Sequence, residues 1–313
     1  MLNPAAVPAE SGRPDAAIGL VGAGSLGVAI GRRLLGRGLP LVAWNRSPAR
    51  LQQLATAGAV LAEAVGGLLR DSDVVIVCLS DADAIRAVLL DDALHWSGLG
   101  RRLVLNTSTV GAEASQSLEA AFAAIGVEYA DLPVSGGPEG AASGTLAAYV
   151  APAKLHADTV ERIVAALAGT VIRCRDNRTA QQLKVLNNLC EAINLWGAAE
   201  AIALGRRLGL SVDELSAGLT GGRGDSRYLR VLLDHMRTQP VDVAVSLAIR
   251  IKDLELAEQL AGKLPPLSAL TKALFNDTSE VLGSSVDQCA CLARLAMPHV
   301  EQHFATPPAV VPA

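Results

Sequence analysis

An α/β architecture, a doubly wound parallel sheet followed by an all-helical carboxy-terminal domain, is predicted on three observations. Short strand-like runs alternate with longer helical ones from Ala17 onward, a glycine-rich turn directly follows the first strand-like run, and strand signals stop after Arg175. Strand, helix, strand repeated in this way means parallel strands with helices on both faces. A switch to helices alone means a second domain.

The strand-like runs are Ile18–Gly22, Leu39–Trp44, Val74–Leu79, Leu103–Asn106 and Val127–Ala130. Between them, Leu26–Arg37, Pro48–Ala57, Ala62–Arg70, Ala82–Leu90 and Ala112–Ala124 carry apolar residues at helical spacing. Leu146–Val150 and Thr170–Arg173, with a helical run over Leu155–Leu167 between them, are expected to extend the same sheet. Thr179–Leu208 is one long helical run without proline, interrupted by Gly197 and Gly205. Shorter helices are expected over Val212–Leu219, Ser226–Met236, Val243–Leu260, Pro265–Leu282 and Val286–Phe304. The expected organisation is a disordered leader over residues 1–16, a nucleotide-binding domain over 17–176 and a helical substrate and oligomerisation domain over 177–313. Two such domains are expected to meet in a cleft, the usual place for a ligand.

Composition supports this and excludes several functions. The 313 residues are 50% apolar and 19% charged, the profile of a soluble globular protein, and 313 residues suffice for two filled cores. Aromatics make up only 3%, so the core must be built from Ala, Leu and Val, which suits close-packed helices and parallel strands. A net charge of -4 leaves no basic footprint for nucleic acid. No apolar run reaches the length of a membrane span, and the leader, with Pro4, Pro8 and Pro14, lacks the apolar stretch of a signal peptide. The cysteines are Cys78, Cys174, Cys190, Cys289 and Cys291. Cys78 and Cys190 lie in apolar runs and read as small core residues, and Cys289 and Cys291 fall two apart in a helical pattern, pointing in different directions. Reduced thiols in the cytoplasm are therefore expected. His299 and His303 are four apart but have no third ligand, so no metal site is expected.

Gly22-Ala23-Gly24-Ser25-Leu26-Gly27 gives the first domain its chemistry. The pattern sits between a strand and a helix at the start of the first βαβ unit, where glycines permit a tight turn, close backbone approach to a pyrophosphate and close helix–strand contact. That is a dinucleotide site of Rossmann type, with the helix's free amides holding the phosphates. The second strand ends in Asn45-Arg46-Ser47, with no acidic residue to grip a ribose 2′-hydroxyl. An amide, a guanidinium and a hydroxyl there suit a 2′-phosphate, so NADP(H) is the expected cofactor. Leu79-Ser80 and Thr107-Ser108 close the third and fourth strand-like runs, where doubly wound sheets bind ligands, and are expected near the nicotinamide ribose.

Four motifs carry a resemblance to a known family: Gly22–Gly27, Asp131-Leu132-Pro133-Val134-Ser135-Gly136-Gly137, Lys184-Val185-Leu186-Asn187-Asn188, and Lys252-Asp253-Leu254. From Ala17 to Phe304 the chain resembles the β-hydroxyacid dehydrogenases, which include 3-hydroxyisobutyrate dehydrogenase and tartronate semialdehyde reductase. The resemblance implies an NADP(H)-dependent oxidoreductase interconverting a small 3-hydroxy acid and its semialdehyde or keto form. It implies Lys184 as the general acid/base at the substrate oxygen and Asn188 as the group that holds that oxygen. It implies that Ser135-Gly136-Gly137 binds the substrate carboxylate and that Lys252 lies near the cofactor. Lys184 and Asn188, four apart on one helix, share a face, and burial beside a cofactor would lower a lysine pKa.

One departure stands out. The family that the chain resembles usually carries glycines just before the catalytic lysine, whereas this chain reads Arg178-Thr179-Ala180-Gln181-Gln182-Leu183. Arg223, in the loop Gly221–Asp225, is open to two readings, a partner for a second carboxylate or a solvated side chain. Two rival functions share the fold: an imine reductase, and a non-catalytic reader domain that binds a dinucleotide or a modified-protein tail. Both tend to lack the lysine or the serine–glycine turn that this chain has. The Ala-rich helix Thr179–Leu208 suggests a helical interface, hence a homodimer or homotetramer.

Overall fold

The computed structural model describes residues 18–240 and 243–297. The leader, His299 and His303 lie outside the described residues. The chain divides into two compact units, one ending at Gln181 and the other beginning at Gln182.

The first unit is built on six parallel strands, β1 (Ile18–Val21), β2 (Leu41–Trp44), β3 (Val60–Leu61), β4 (Val74–Val77), β5 (Leu103–Asn106) and β6 (Glu128–Asp131), in the order β3-β2-β1-β4-β5-β6. Side chains alternate across a strand, and the sequence supplies apolar residues at both parities. Ile18, Leu20, Leu41, Ala43, Val74, Ile76, Leu103 and Leu105 pack on one face with α1 (Ser25–Gly36) and α7 (Ala157–Leu167). Val21, Val42, Val75, Val77 and Val104 pack on the other with α3 (Val65–Asp71), α4 (Ala82–Leu89) and α5 (Ala112–Ala124). The second face also holds most of this unit's aromatics: Phe122 stacks on Tyr129 with centroids 5.7 Å apart and takes the edge of Trp96 at 5.9 Å.

The structure corrects the sequence reading in four places. Leu146–Val150 and Thr170–Arg173 do not extend the large sheet. They belong to β8 (Leu146–Val150) and β9 (Ala168–Arg173), which join β7 (Val134–Ser135) in a separate three-stranded sheet, with β7 antiparallel and β9 parallel to β8. The physical reason lies in Pro133, which has no amide to donate, so the β6 ladder cannot run on through it. The chain from Asp131 to Ser135 instead turns its carbonyls to β8, where Ala151 and Tyr149 donate to Asp131 and Pro133 at 2.9 and 3.0 Å. The helix expected over Pro48–Ala57 is a 3-10 turn, Pro48–Leu51, running into a short α2 (Gln52–Thr56). The helix expected from Val286 begins late, because the Asp287 carboxylate accepts from the Cys289 amide and winds a 3-10 turn before α13 (Cys291–Ala296). Cys190 is exposed rather than in the core, because it falls on the outward face of its helix.

That helix, α8 (Asn177–Arg207), begins in the first unit and supplies the spine of the second. Ala192, Leu195, Trp196, Ala199 and Ile202 pack against Leu215 of α9 (Val212–Leu219), Leu229, Leu232 and Leu233 of α10 (Arg227–Thr238), Leu247 and Leu254 of α11 (Leu247–Ala261), and Phe275 of α12 (Pro266–Leu282). Serines set the helix starts. Ser211 makes a reciprocal capping box with Glu214, and Ser226 and Ser246 each accept from an amide three residues on. Among the described residues no helix is long and apolar enough to cross a membrane.

Candidate active site

In the first unit the site residues gather at the carboxyl ends of neighbouring parallel strands. Gly22 ends β1 with φ +105°, and a Cβ there would meet the Cys78 carbonyl oxygen at 2.2 Å. A Cβ on Gly27 would lie 2.1 Å from the Gly22 carbonyl, whereas Gly24 faces open space. The first and third glycines therefore let the turn close, and the middle one leaves room for a ligand to approach. Gly24 precedes α1, no side chain caps that helix, and Ser25 and Leu26 open it. Its first-turn amides are thus available to an anion, and the cradle fits a pyrophosphate. Asn45, just past β2, accepts the Ala23 amide at 3.0 Å and donates to the Ser47 carbonyl at 3.0 Å, tying this loop to the end of the second strand. Arg46 and Ser47 are exposed, and Arg46 has no hydrogen bond or ion pair among the described residues.

The ends of β4 and β5 are laced together. Thr107 is buried and its hydroxyl donates to the Val77 carbonyl at 2.7 Å, while the Ser108 hydroxyl accepts the Leu79 amide at 2.9 Å. These two side chains thus hold the strand ends, and Ser80 donates to Asp81 at 2.6 Å, beside the first turn of α4. Beyond β6, Ser135-Gly136-Gly137 turns from β7 into α6 (Gly137–Ser143) with φ +133° at Gly136 and +67° at Gly137. That backbone conformation is strained for any residue with a Cβ. At Gly136 an added Cβ would also press on Leu146 at 3.0 Å.

Beneath the β5 and β6 ends lies a buried polar hub absent from the sequence reading. The Asp131 carboxylate accepts from Asn106 at 2.8 Å, Gln181 at 2.7 Å, Tyr129 at 3.0 Å and the Ser115 hydroxyl. Burial pushes its pKa up to about 6, against the pull of those four donors. Tyr129 is pushed up too, by burial and by the neighbouring carboxylate.

In the second unit the structure brings Lys184, Asn188 and Lys252 into one electrostatic cluster. Lys184 is 7% exposed, and its ammonium has no hydrogen bond or ion pair among the described residues. Burial lowers its pKa, opposed by the carboxylates of Glu191 and Asp253 and assisted by the cations of Arg250 and Lys252. A buried, unpaired ammonium costs folding energy and is a frequent mark of a proton-transfer site. Asn188 donates to Asp253 at 2.7 Å, and Lys252 lies 3.1 Å from the other Asp253 oxygen, so Asp253 holds both. Arg250, 1% exposed, donates to the Asn188 carbonyl, Gln288, Glu191 and Tyr228 at 2.8–3.1 Å. Glu191 was open to inference, since it stands seven residues from Lys184 on one helix face. Arg250 and Tyr228 carry no such signal.

Arg223 stays a loop residue with no ion pair among the described residues, whereas its neighbour Asp225 pairs with Arg230. Elsewhere in the unit His235, Asp287 and Cys289 bring three potential ligand atoms within 4.8 Å of one another. The Asp287 carboxylate there is committed to the amides of Ala244, Val245 and Cys289.

Residues 17–175 match the family model of the NAD binding domain of 6-phosphogluconate dehydrogenase, and residues 179–295 match that of the NAD-binding of NADP-dependent 3-hydroxyisobutyrate dehydrogenase. The chain is 31% identical to the L-threonate dehydrogenase of Cupriavidus necator over 82% of its length and 89% of the relative's. It is 26% identical to the 2-hydroxy-3-oxopropionate reductase of Escherichia coli, covering 90% of this chain and 97% of that one. Among solved structures, Psf3 in complex with NADP+ and 2-OPP superposes with a TM-score of 0.83 at 35% identity, over 89% of this chain and 99% of Psf3. An imine reductase from Streptomyces aurantiacus shares the fold more distantly, with a TM-score of 0.61 and 20% identity over 90% of this chain and 99% of that one.

Proposed function

Because the chain belongs to the β-hydroxyacid dehydrogenase family, with the NAD(P)-binding domain and oxidoreductase character of that family, we propose that it interconverts a small 3-hydroxy acid and its semialdehyde or keto form using NADP(H). The single observation that carries this reading is Lys184, a buried ammonium without a hydrogen-bond or ion-pair partner among the described residues, with a lowered pKa and with Asn188 one helical turn away. When bound, NADPH would supply the hydride for the substrate carbonyl carbon. Lys184 donates the proton to the carbonyl oxygen in reduction and removes it in oxidation, a role made easier by a pKa that burial lowers. Asn188 orients that oxygen, and Asp253 fixes the Asn188 amide so that it points one way.

Gly22, Gly24 and Gly27 with the first turn of α1 would hold the pyrophosphate, and Asn45, Arg46 and Ser47 the 2′-phosphate. The exposed guanidinium of Arg46, without a partner among the described residues, supports NADP over NAD. Leu79, Ser80, Thr107 and Ser108 would shape the nicotinamide ribose site, and Lys252 would be a further cofactor-binding residue. Ser135, Gly136 and Gly137 would receive the substrate carboxylate. The named substrates of the relatives, threonate and 2-hydroxy-3-oxopropionate, are small hydroxy or oxo acids, which supports a carboxylate-bearing substrate.

The protein acts as a homodimer or homotetramer in this reading. Leu183, Leu186 and Leu204 line α8 at helical spacing, Leu208 follows its last turn, and the four are 37–71% exposed, an apolar stripe that a second copy would cover. Five free thiols support a cytoplasmic setting. The test is NADPH oxidation against a panel of carboxylated semialdehydes, uncharged ketones and cyclic imines. Fastest turnover on a carboxylated semialdehyde is expected. Fastest turnover on a cyclic imine would replace this reading with imine reduction, and binding of NADPH with no turnover on any of them would favour a non-catalytic reader.

A further inference from the structure

The first turns of α8 carry one continuous buried face. Asn177, Gln181, Lys184 and Asn188, spaced four, three and four apart, are 6%, 0%, 7% and 4% exposed. That spacing puts all four on a single side of the helix. The last two are the groups assigned to proton transfer and orientation, whereas the first two are engaged with the nucleotide-binding unit.

We propose that Gln181 is a positioning residue, a strut whose side-chain amide fixes the start of α8, and with it Lys184, to the loop after β5. This rests on the reading of Lys184 given above. The Gln181 oxygen accepts the amides of Val110 and Gly111 at 3.1 and 3.2 Å. Its nitrogen donates to the Ser108 carbonyl at 3.0 Å and to the Asp131 carboxylate at 2.7 Å. Two donors and two acceptors are all that a primary amide commonly offers, so the group is fully used. Its orientation is also fixed: a flipped amide would set its NH2 against two backbone N–H groups and its oxygen against a carbonyl and a carboxylate.

The partners are 50–73 residues away in sequence and belong to the loop Ser108–Gly111 and to β6. Asn177, one turn earlier, repeats the pattern: it accepts the Asp131 amide at 2.8 Å and donates to the Tyr129 carbonyl at 3.3 Å. Two successive turns of α8 are thus bolted to β6 and to the loop whose Thr107 and Ser108 are assigned to the nicotinamide ribose. Lys184 follows Gln181 by three residues, about 4.5 Å along the axis of the same helix. An error in the strut becomes an error in the placement of the ammonium.

Asp131 explains why the strut needs a buried acid. Its carboxylate accepts four hydrogen bonds from Asn106, Gln181, Tyr129 and Ser115, and among the described residues it makes no ion pair. It is the acceptor that fixes which end of the Gln181 amide faces β6.

The experiment uses the full-length enzyme and single-turnover reduction of its best substrate with NADPH pre-bound. Gln181→Leu removes all four bonds at similar volume. Gln181→Glu keeps the acceptor but faces Asp131 with a second acid, and Gln181→Glu/Asp131→Asn restores one hydrogen bond and a single acid. The expected result is a loss of about ten- to a hundredfold in single-turnover rate for Gln181→Leu and Gln181→Glu. NADPH Kd should stay within about threefold, because the pyrophosphate cradle is untouched, and the double variant should recover most of the rate. A purely structural role would lower Tm while leaving the rate of the folded enzyme unchanged. Rates within about twofold of the parent in Gln181→Leu, or in Gln181→Asn should Gln181→Leu not fold, overturn the proposal, as does a double variant slower than Gln181→Glu. Lys184→Ala measured alongside separates the two ideas. If it is inactive while the Gln181 variants are fast, the strut fails alone; if it is active too, the assignment of Lys184 fails.

Discussion

Arg250→Met tests how the second unit holds its cluster. The guanidinium is 1% exposed and makes bonds to Gln288 at 2.8 Å, the Asn188 carbonyl at 3.0 Å, Glu191 at 3.1 Å and Tyr228 at 3.0 Å. Methionine fills much of the same space but orphans the Gln288 oxygen, takes the second donor from the Asn188 carbonyl, and removes the guanidinium from Glu191, to which Tyr228 and Asn187 still donate. Removing one partner of a buried pair costs about 3–5 kcal/mol. Glu191 keeps 22% of its side chain exposed, so water recovers part of its solvation and the lower end, about 3 kcal/mol, is expected. For a unit of this size that corresponds to a fall in Tm of roughly 10 °C. The assay is urea unfolding of Arg250→Met, Glu191→Leu and the double variant. Because each single change strands the other partner, the double variant should lose clearly less than the two losses added together. A cost below about 1 kcal/mol for Arg250→Met, or a strictly additive cycle, refutes the reasoning. The same variant removes a cation that holds the Lys184 pKa down, so the pH at which activity loses its proton donor should move upward.

Arg46→Ala should weaken NADPH binding by about tenfold and leave NADH nearly unchanged, since only one cofactor carries the 2′-phosphate; titration of both by fluorescence checks it, and equal losses would show that Arg46 does not read the phosphate. Ser135→Ala should raise the KM of a carboxylated substrate by roughly tenfold with NADPH affinity intact, and an unchanged KM would remove Ser135 from the carboxylate site. Asp131 has a pKa near 6 when folded against an ordinary 3.8, so the folded state holds its proton more tightly than the unfolded chain. Its stabilising contribution is complete below about pH 4 and is lost as pH rises through about 6. Asp131→Asn should therefore gain on the parent between those values by about 3 kcal/mol, read from urea midpoints at each pH, and a difference that stays flat contradicts the burial argument.

The large sheet was legible because its strands are buried on both faces and read as unbroken apolar runs, such as Val74–Val77. β3 was invisible, being two exposed residues at a sheet edge. The small sheet was misplaced because nothing local in Leu146–Val150 states which strand it pairs with. That choice is made by Pro133, which ends the β6 ladder. Cys190 misled because its neighbours are apolar, whereas on a helix the face decides burial and Cys190 shares the outward face with Leu183 and Leu186. At the site, the glycine loop could be read because a backbone requirement leaves a mark in residue type. The Gln181–Asp131 hub and Arg250 could not. Their partners are tens of residues away, and an amide, an acid or an arginine carries no spacing that announces burial.

The central claim is that Lys184 exchanges the proton at the substrate oxygen. Its most direct test is single-turnover reduction by Lys184→Ala with NADPH pre-bound, which isolates the chemical step from cofactor loading. The account predicts a rate lower by about two to four orders of magnitude with NADPH affinity retained, and no rescue by Lys184→Arg, whose guanidinium keeps its proton at neutral pH. A near-normal rate for Lys184→Ala would contradict it.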